Sequence, residues 1–155
     1  MAKQNSVIID PGHGGSDPGA VYGNRREKDD TLALAYDIGN ALEQRGIRVE
    51  YTRIGDIYNS PYEKAEIGNR SAADLFLSIH RNAMPVPGTG SGTMSLIFGR
   101  GGDAETFARN INKELAKTGW KDLGISERPN LVVLRDTALP AVLVEVGFID
   151  NENDN

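Results

Sequence analysis

The 155-residue chain has no cysteine, only two histidines, one tryptophan and 6% aromatic residues. Without cysteine there is neither a disulfide framework nor a thiolate metal site, so a transition metal can be held only by histidine and carboxylate. Basic residues are also short: 17 Lys and Arg against 22 Asp and Glu give a net charge of -5. That balance offers no support for a nucleic-acid partner, which asks for a clustered basic face. No apolar run approaches the length of a membrane span or of a signal-peptide core, and Met1-Ala2-Lys3-Gln4-Asn5 leads straight into a strand-like stretch. Internal repeats and low-complexity tracts are absent, and one long flexible-looking loop, rich in Gly, Ser, Thr and Pro, covers residues 85–92.

What remains is an ordinary globular balance, 39% hydrophobic and 25% charged, in a length that fits one domain over residues 1–155. A β-branched run breaks abruptly in Ser6-Val7-Ile8-Ile9-Asp10-Pro11-Gly12-His13, which reads as a buried strand handing a histidine to a loop. Apolar residues Leu34, Ile38, Ala41 and Leu42 recur at helical spacing from Thr31 onward, with Asp29 and Asp30 suited to the helix start and Gly46 to its stop. Residues 47–52 alternate as a second strand, so strand, helix and strand form a parallel βαβ unit. Ser60-Pro61-Tyr62-Glu63 has the capping-box pattern of a helix that should run to about Ala72. Strands are expected at 75–80, 93–98, 131–134 and 141–146, and a helix between Asp103 and Gly119. The alternation predicts a three-layer α/β/α domain around a twisted, mostly parallel sheet of about six strands. Asn151-Glu152-Asn153-Asp154-Asn155 has the acidic, cap-rich character of a further helix start, or of a disordered tail.

His13 and His80 each follow the carboxyl end of a predicted strand, the edge at which open parallel sheets bind ligands. Two histidines require one further donor to hold a catalytic zinc, and Glu27, Asp29 and Asp30 all lie at that end; spacing does not choose among them. For Asp29 and Asp30 a solvated helix start is the simpler reading. Glu145 interrupts the apolar run Ala141-Val142-Leu143-Val144-Glu145-Val146 and reads either as a glutamate facing water on an edge strand or as a general base beside a metal. Asp10 either caps the turn at Pro11 or steadies His13 through its second ring nitrogen. The glycines at 12, 14, 15 and 19 match neither a dinucleotide fingerprint nor a P-loop.

Ile8-Ile9-Asp10-Pro11-Gly12-His13-Gly14-Gly15, Glu27, Ala73-Asp74-Leu75-Phe76-Leu77-Ser78-Ile79-His80-Arg81-Asn82-Ala83 and Pro140-Ala141-Val142-Leu143-Val144-Glu145-Val146-Gly147-Phe148-Ile149 together resemble the zinc-dependent type-3 N-acetylmuramoyl-L-alanine amidases. The resemblance runs through the whole chain in order. It implies Zn2+ held by His13, Glu27 and His80, catalysis by Glu145, a substrate contact at Asn82, and peptidoglycan as the partner. The implied place of action is the bacterial cell wall, reached without a signal peptide in this chain, as by a phage-type lysin or an excised catalytic domain. Departures from the family pattern are Arg81 in place of a small residue, Lys64 where an arginine is common, and a C-terminal helix cut short after Asn151. Arg81 is expected to bear on substrate choice at the rim. A zinc carboxypeptidase or deacetylase acting on another wall amide, and a wall-binding module without catalysis, are the rival expectations. Oligomeric state is not legible in the sequence.

Overall fold

β-Branched and apolar runs become strands wherever a second hydrophobic layer covers them. A computed structural model describes residues 5–155; the expected lead-in at residues 1–4 lies outside the described residues. The elements in order are β1 (Ser6–Pro11), β2 (Val21–Tyr22), β3 (Arg25–Arg26), α1 (Glu27–Glu43), β4 (Arg48–Tyr51), α2 (Pro61–Arg70), β5 (Leu75–Asn82), β6 (Thr93–Ile97), α3 (Asp103–Lys117), β7 (Asp122–Glu127), α4 (Val132–Arg135) and β8 (Ala141–Phe148). Six strands form one sheet in the order β4-β1-β5-β8-β6-β7, parallel throughout except where β6 runs against β8. β2 and β3 make a separate small hairpin.

Strand side chains alternate between the two faces of the sheet, and the core divides accordingly. Ile9, Leu75, Leu77, Ile79, Val142 and Val144 pack with Ala35 of α1 and Ala108 of α3, whereas Ile8, Phe76, Ala141 and Leu143 pack with Val133 and Leu134 of α4 and with Ile67 of α2. Helices therefore cover both faces, giving the α/β fold expected. Among the described residues no helix is long and apolar enough to cross a membrane.

The helix at Ser60 forms as its sequence predicts: Glu63 N–H donates to Ser60 Oγ at 3.3 Å, and Ser60 N–H donates to the Glu63 carboxylate at 2.7 Å. Two elements differ. The stretch 131–134, expected as a strand, falls instead on a single helical turn, α4 (Val132–Arg135), because consecutive Val133 and Leu134 both bury against the α2 side of the sheet; a short apolar run does not reveal its own period. The strand that completes the sheet is β7, Asp-Leu-Gly-Ile-Ser-Glu, whose edge position needs little apolar surface. Its Gly124 lies at φ +86 beside an irregularity in the pairing with β6. The terminal segment is tied down: Asp154 accepts from Ser91 Oγ and from the N–H groups of Gly92 and Phe148, and Asn151 Nδ2 donates to Gly90 O. These bonds anchor the glycine-rich loop, which makes it more constrained than its composition suggests.

Candidate metal centre

Three elements converge at the carboxyl edge of β1 and β5. His13 follows β1 in a left-handed conformation, φ 61, unusual for a residue with a side chain. Glu27 opens α1, where the helix N-terminus favours a carboxylate. His80 stands near the end of β5. One ligand atom from each lies within 4.8 Å of the others. Glu27 joins the two rings, with Oε2 3.0 Å from His13 Nε2 and Oε1 3.0 Å from His80 Nδ1. Its oxygens also accept from Ala20 N–H at 2.8 Å and Arg81 N–H at 3.0 Å. Burial pushes the Glu27 carboxyl up, but its bonds to His13 and His80 and their charges outweigh this and hold it far below the usual carboxylate range. Burial likewise disfavours the charged form of His13, yet Glu27 and Asp17 raise its pKa above the ordinary value.

This donor set fits zinc. Two imidazoles and a carboxylate are a common three-ligand catalytic set, and ligand atoms on a tetrahedral ion with bonds near 2.0–2.1 Å stand about 3.3 Å apart. The outer partner is present too: Asp17 Oδ2 lies 2.8 Å from His13 Nδ1, which turns Nε2 toward the centre and Glu27. Beside the cluster, Glu145 occupies the β8 position paired with His80 in the sheet register. Its Oε2 is buried without a hydrogen-bond partner. Burial raises the Glu145 pKa; His80 opposes this and Glu27 reinforces it.

Space around the rings is set by glycine. A Cβ on Gly12 would fall 2.5 Å from His80 Cε1. Gly12→Ala should therefore fold yet displace the His80 ring, and a misplacement of about 1 Å is enough for a rate loss of about 100-fold. Metal competition together with turnover measures this; an alanine variant with unaltered metal affinity and rate would contradict it.

Asp10 is corrected. Strand alternation turns its side chain to the α2 face, where it accepts from Lys64 Nζ at 2.8 Å, Thr52 Oγ1 at 2.6 Å and Ser78 Oγ at 2.6 Å. Both ring nitrogens of His13 are taken by Asp17 and Glu27, so Asp10 does not orient that ring. Its influence is through the backbone: Lys64 Nζ also donates to Pro11 O, and Arg53 donates to Pro11 O, Gly12 O and Lys28 O, fixing the loop that carries His13. Burial would raise the Asp10 pKa, but the Lys64 charge and these hydrogen bonds bring it below the ordinary value. A depressed folded pKa gives stability that is present above the unfolded pKa and is lost as pH falls through the folded one. Urea unfolding from about pH 5 downward should thus show a steeper acid loss for wild type than for Asp10→Asn, and equal slopes would refute the linkage.

Arg81 is corrected as well. It lies next to His80, so the pleat directs it to the opposite face, where the guanidinium is buried and bonded within the protein instead of reaching the rim. Asn82 returns to the His80 face, half-buried. Its Oδ1 accepts from Ala83 N–H at 2.9 Å, a local turn contact, and its Nδ2 is 3.8 Å from Met94 Sδ. Asp29 pairs with Arg26, and Asp30 with Arg25 and Arg81. Sequence reasoning missed Asp17, whose only signal was its place four residues after His13, and the buried Arg53.

Comparison with known proteins agrees with this geometry. The sequence profile of the family described as N-acetylmuramoyl-L-alanine amidase matches residues 7–155. The chain is 40% identical over 152 residues to N-acetylmuramoyl-L-alanine amidase CwlM of Bacillus licheniformis, covering 96% of this chain and 58% of that protein. It is 36% identical to the endolysin of Bacillus phage SPP1, covering 96% of this chain and 56% of that one. The chain thus spans little more than half the length of these relatives. A crystal structure of an N-acetylmuramoyl-L-alanine amidase from Clostridium difficile 630 superposes with a TM-score of 0.91 at 34% identity, covering 99% of this chain and 84% of that one. A profile matched from β1 to the last residue, a shared fold and a His-Glu-His cluster at the sheet edge place this chain in the N-acetylmuramoyl-L-alanine amidase family.

Proposed function

We propose that residues 1–155 act as a zinc-dependent catalytic domain that hydrolyses the amide between the lactyl group of N-acetylmuramic acid and the L-alanine of peptidoglycan stem peptides, at the bacterial cell wall. The observation that carries this reading is a buried, unpartnered Glu145 Oε2 beside the cluster of His13, Glu27 and His80. These three residues would hold the ion, with Asp17 keeping His13 in the tautomer that offers Nε2. The chemistry zinc supplies when bound is acidification of a water and polarisation of a carbonyl oxygen.

The protein's own groups account for the proton. Glu145 Oε2 has no internal donor to satisfy it, so it is free to accept a proton from the attacking water. The same carboxyl then gives that proton to the alanine nitrogen as the amide bond breaks. Burial keeps the Glu145 carboxyl more basic than an exposed glutamate, which brings base and acid roles closer to neutral pH. Asn82 Nδ2, on the His80 side of β5, is the donor we assign to the substrate.

Mass spectrometry of digested cell walls tests the reaction directly. The expected products are intact glycan strands and free stem peptides with an unblocked L-alanine amine. Release of D-alanine or acetate would instead identify a carboxypeptidase or deacetylase, and binding without any product would leave a wall-binding module.

A further inference from the structure

We propose that Arg81 is a positioning residue that sets the mutual placement of Glu27, His80 and Glu145, an inference resting on the reading of His13, Glu27 and His80 as zinc ligands. Its guanidinium reaches two elements and the C-terminal segment at once. Nη1 donates to Asp30 Oδ2 at 2.6 Å, and Asp30 lies one helical turn beyond Glu27 on α1. Nη2 donates to Phe148 O at 3.4 Å, at the end of β8 beyond Glu145, and to Asn155 Oδ1 at 2.6 Å. The backbone N–H of Arg81 meets the Glu27 carboxylate itself at 3.0 Å. One residue, adjacent in sequence to His80, therefore braces the helix bearing the carboxylate against the strand bearing the proposed base.

Burial makes a purely stabilising role a poor explanation. The Arg81 side chain is 6% exposed, and its Nε is buried without a hydrogen-bond partner. A buried ion pair recovers little net stability after desolvation compared with apolar residues in place of both partners, although removing one partner alone is destabilising. What such a pair does supply is direction: the planar fork fixes where its partners stand.

Arg81→Met keeps the volume and removes the fork. Zinc affinity by chelator competition, kcat and KM on a soluble glycopeptide fragment, and the thermal midpoint should be measured on wild type and variant together. Expected are a zinc affinity and kcat each lowered about 10- to 100-fold, the size typical of lost outer-shell support, with KM little changed; the thermal midpoint falls because one ion-pair partner is lost, a loss moderated by Arg25, which still pairs with Asp30. Unaltered zinc affinity and kcat in a folded variant would overturn the proposal, and a raised KM alone would assign Arg81 to the substrate instead. Should Arg81→Met not fold, Asp30→Asn removes the α1 half of the brace and is expected to lower zinc affinity in the same way; unchanged affinity there also overturns it. Wild type that binds no zinc removes the functional reading, and this inference with it.

Discussion

Glu145→Gln should bind zinc as tightly as wild type and yet lose roughly 10²- to 10⁴-fold in kcat, the range that a positioned acid or base contributes. Glutamine matches glutamate in shape, so the β5–β8 pairing at His80 and Glu145 and the bond from Thr93 Oγ1 to the Glu145 carbonyl survive. What disappears is one proton acceptor. The orphaned Oε2 makes the prediction sharp: no buried donor loses a partner when the charge goes, so no folding penalty should accompany the loss of rate. The variant tests chemistry and not assembly. Metal content by elemental analysis and turnover on purified walls settle it, and a zinc-loaded variant with near-normal turnover would sink the role assigned to Glu145.

The second large effect concerns Glu27. Glu27→Ala should lower zinc affinity by more than about 100-fold, beyond the 10- to 100-fold typical of outer-shell changes, and activity should fall with it. Chelation of wild type should abolish hydrolysis, and added zinc should restore it. The variant should not recover at the same zinc concentration. The carboxylate also stands 3.0 Å from a ring nitrogen of each histidine and accepts from the N–H groups of Ala20 and Arg81, so its removal takes a partner from four groups at once. Recovery of Glu27→Ala with wild-type zinc dependence would remove Glu27 from the ligand set.

His13, His80 and Glu145 were legible because an apolar strand that ends in a polar, ionisable residue is hard to explain by packing alone. Which carboxylate joins the two histidines was not legible from spacing. Glu27, Asp29 and Asp30 look alike in a row, and only the start of α1 at Glu27 separates one that turns inward from two that pair with Arg25, Arg26 and Arg81. The same limit explains Asp10 and Arg81. Each stands close to a histidine in sequence, but the two-residue period of a strand decides which face a side chain serves, and only the packed helices reveal which face holds the site. The sequence marks Lys64 only as a departure from the family pattern and gives no sign that α2 buries its ammonium against Asp10. The exchange of α4 for a strand and the omission of β7 left the strand count at six while misplacing one of them: edge strands are specified by pairing more than by hydrophobicity.

Sheet order also dictates when the centre can exist during folding. Glu27 and His80 are 53 positions apart, and β1, β5 and β8 become neighbours only through crossovers from distant parts of the chain. Such non-local parallel pairing requires large loops to close before any contact rewards them, so it completes late. His13, Glu27 and His80 are dispersed until that moment. A metal held by His13, Glu27 and His80 would thus depend on the assembled sheet to bring its ligands together, unlike the metal of a zinc finger, whose ligands lie close in sequence.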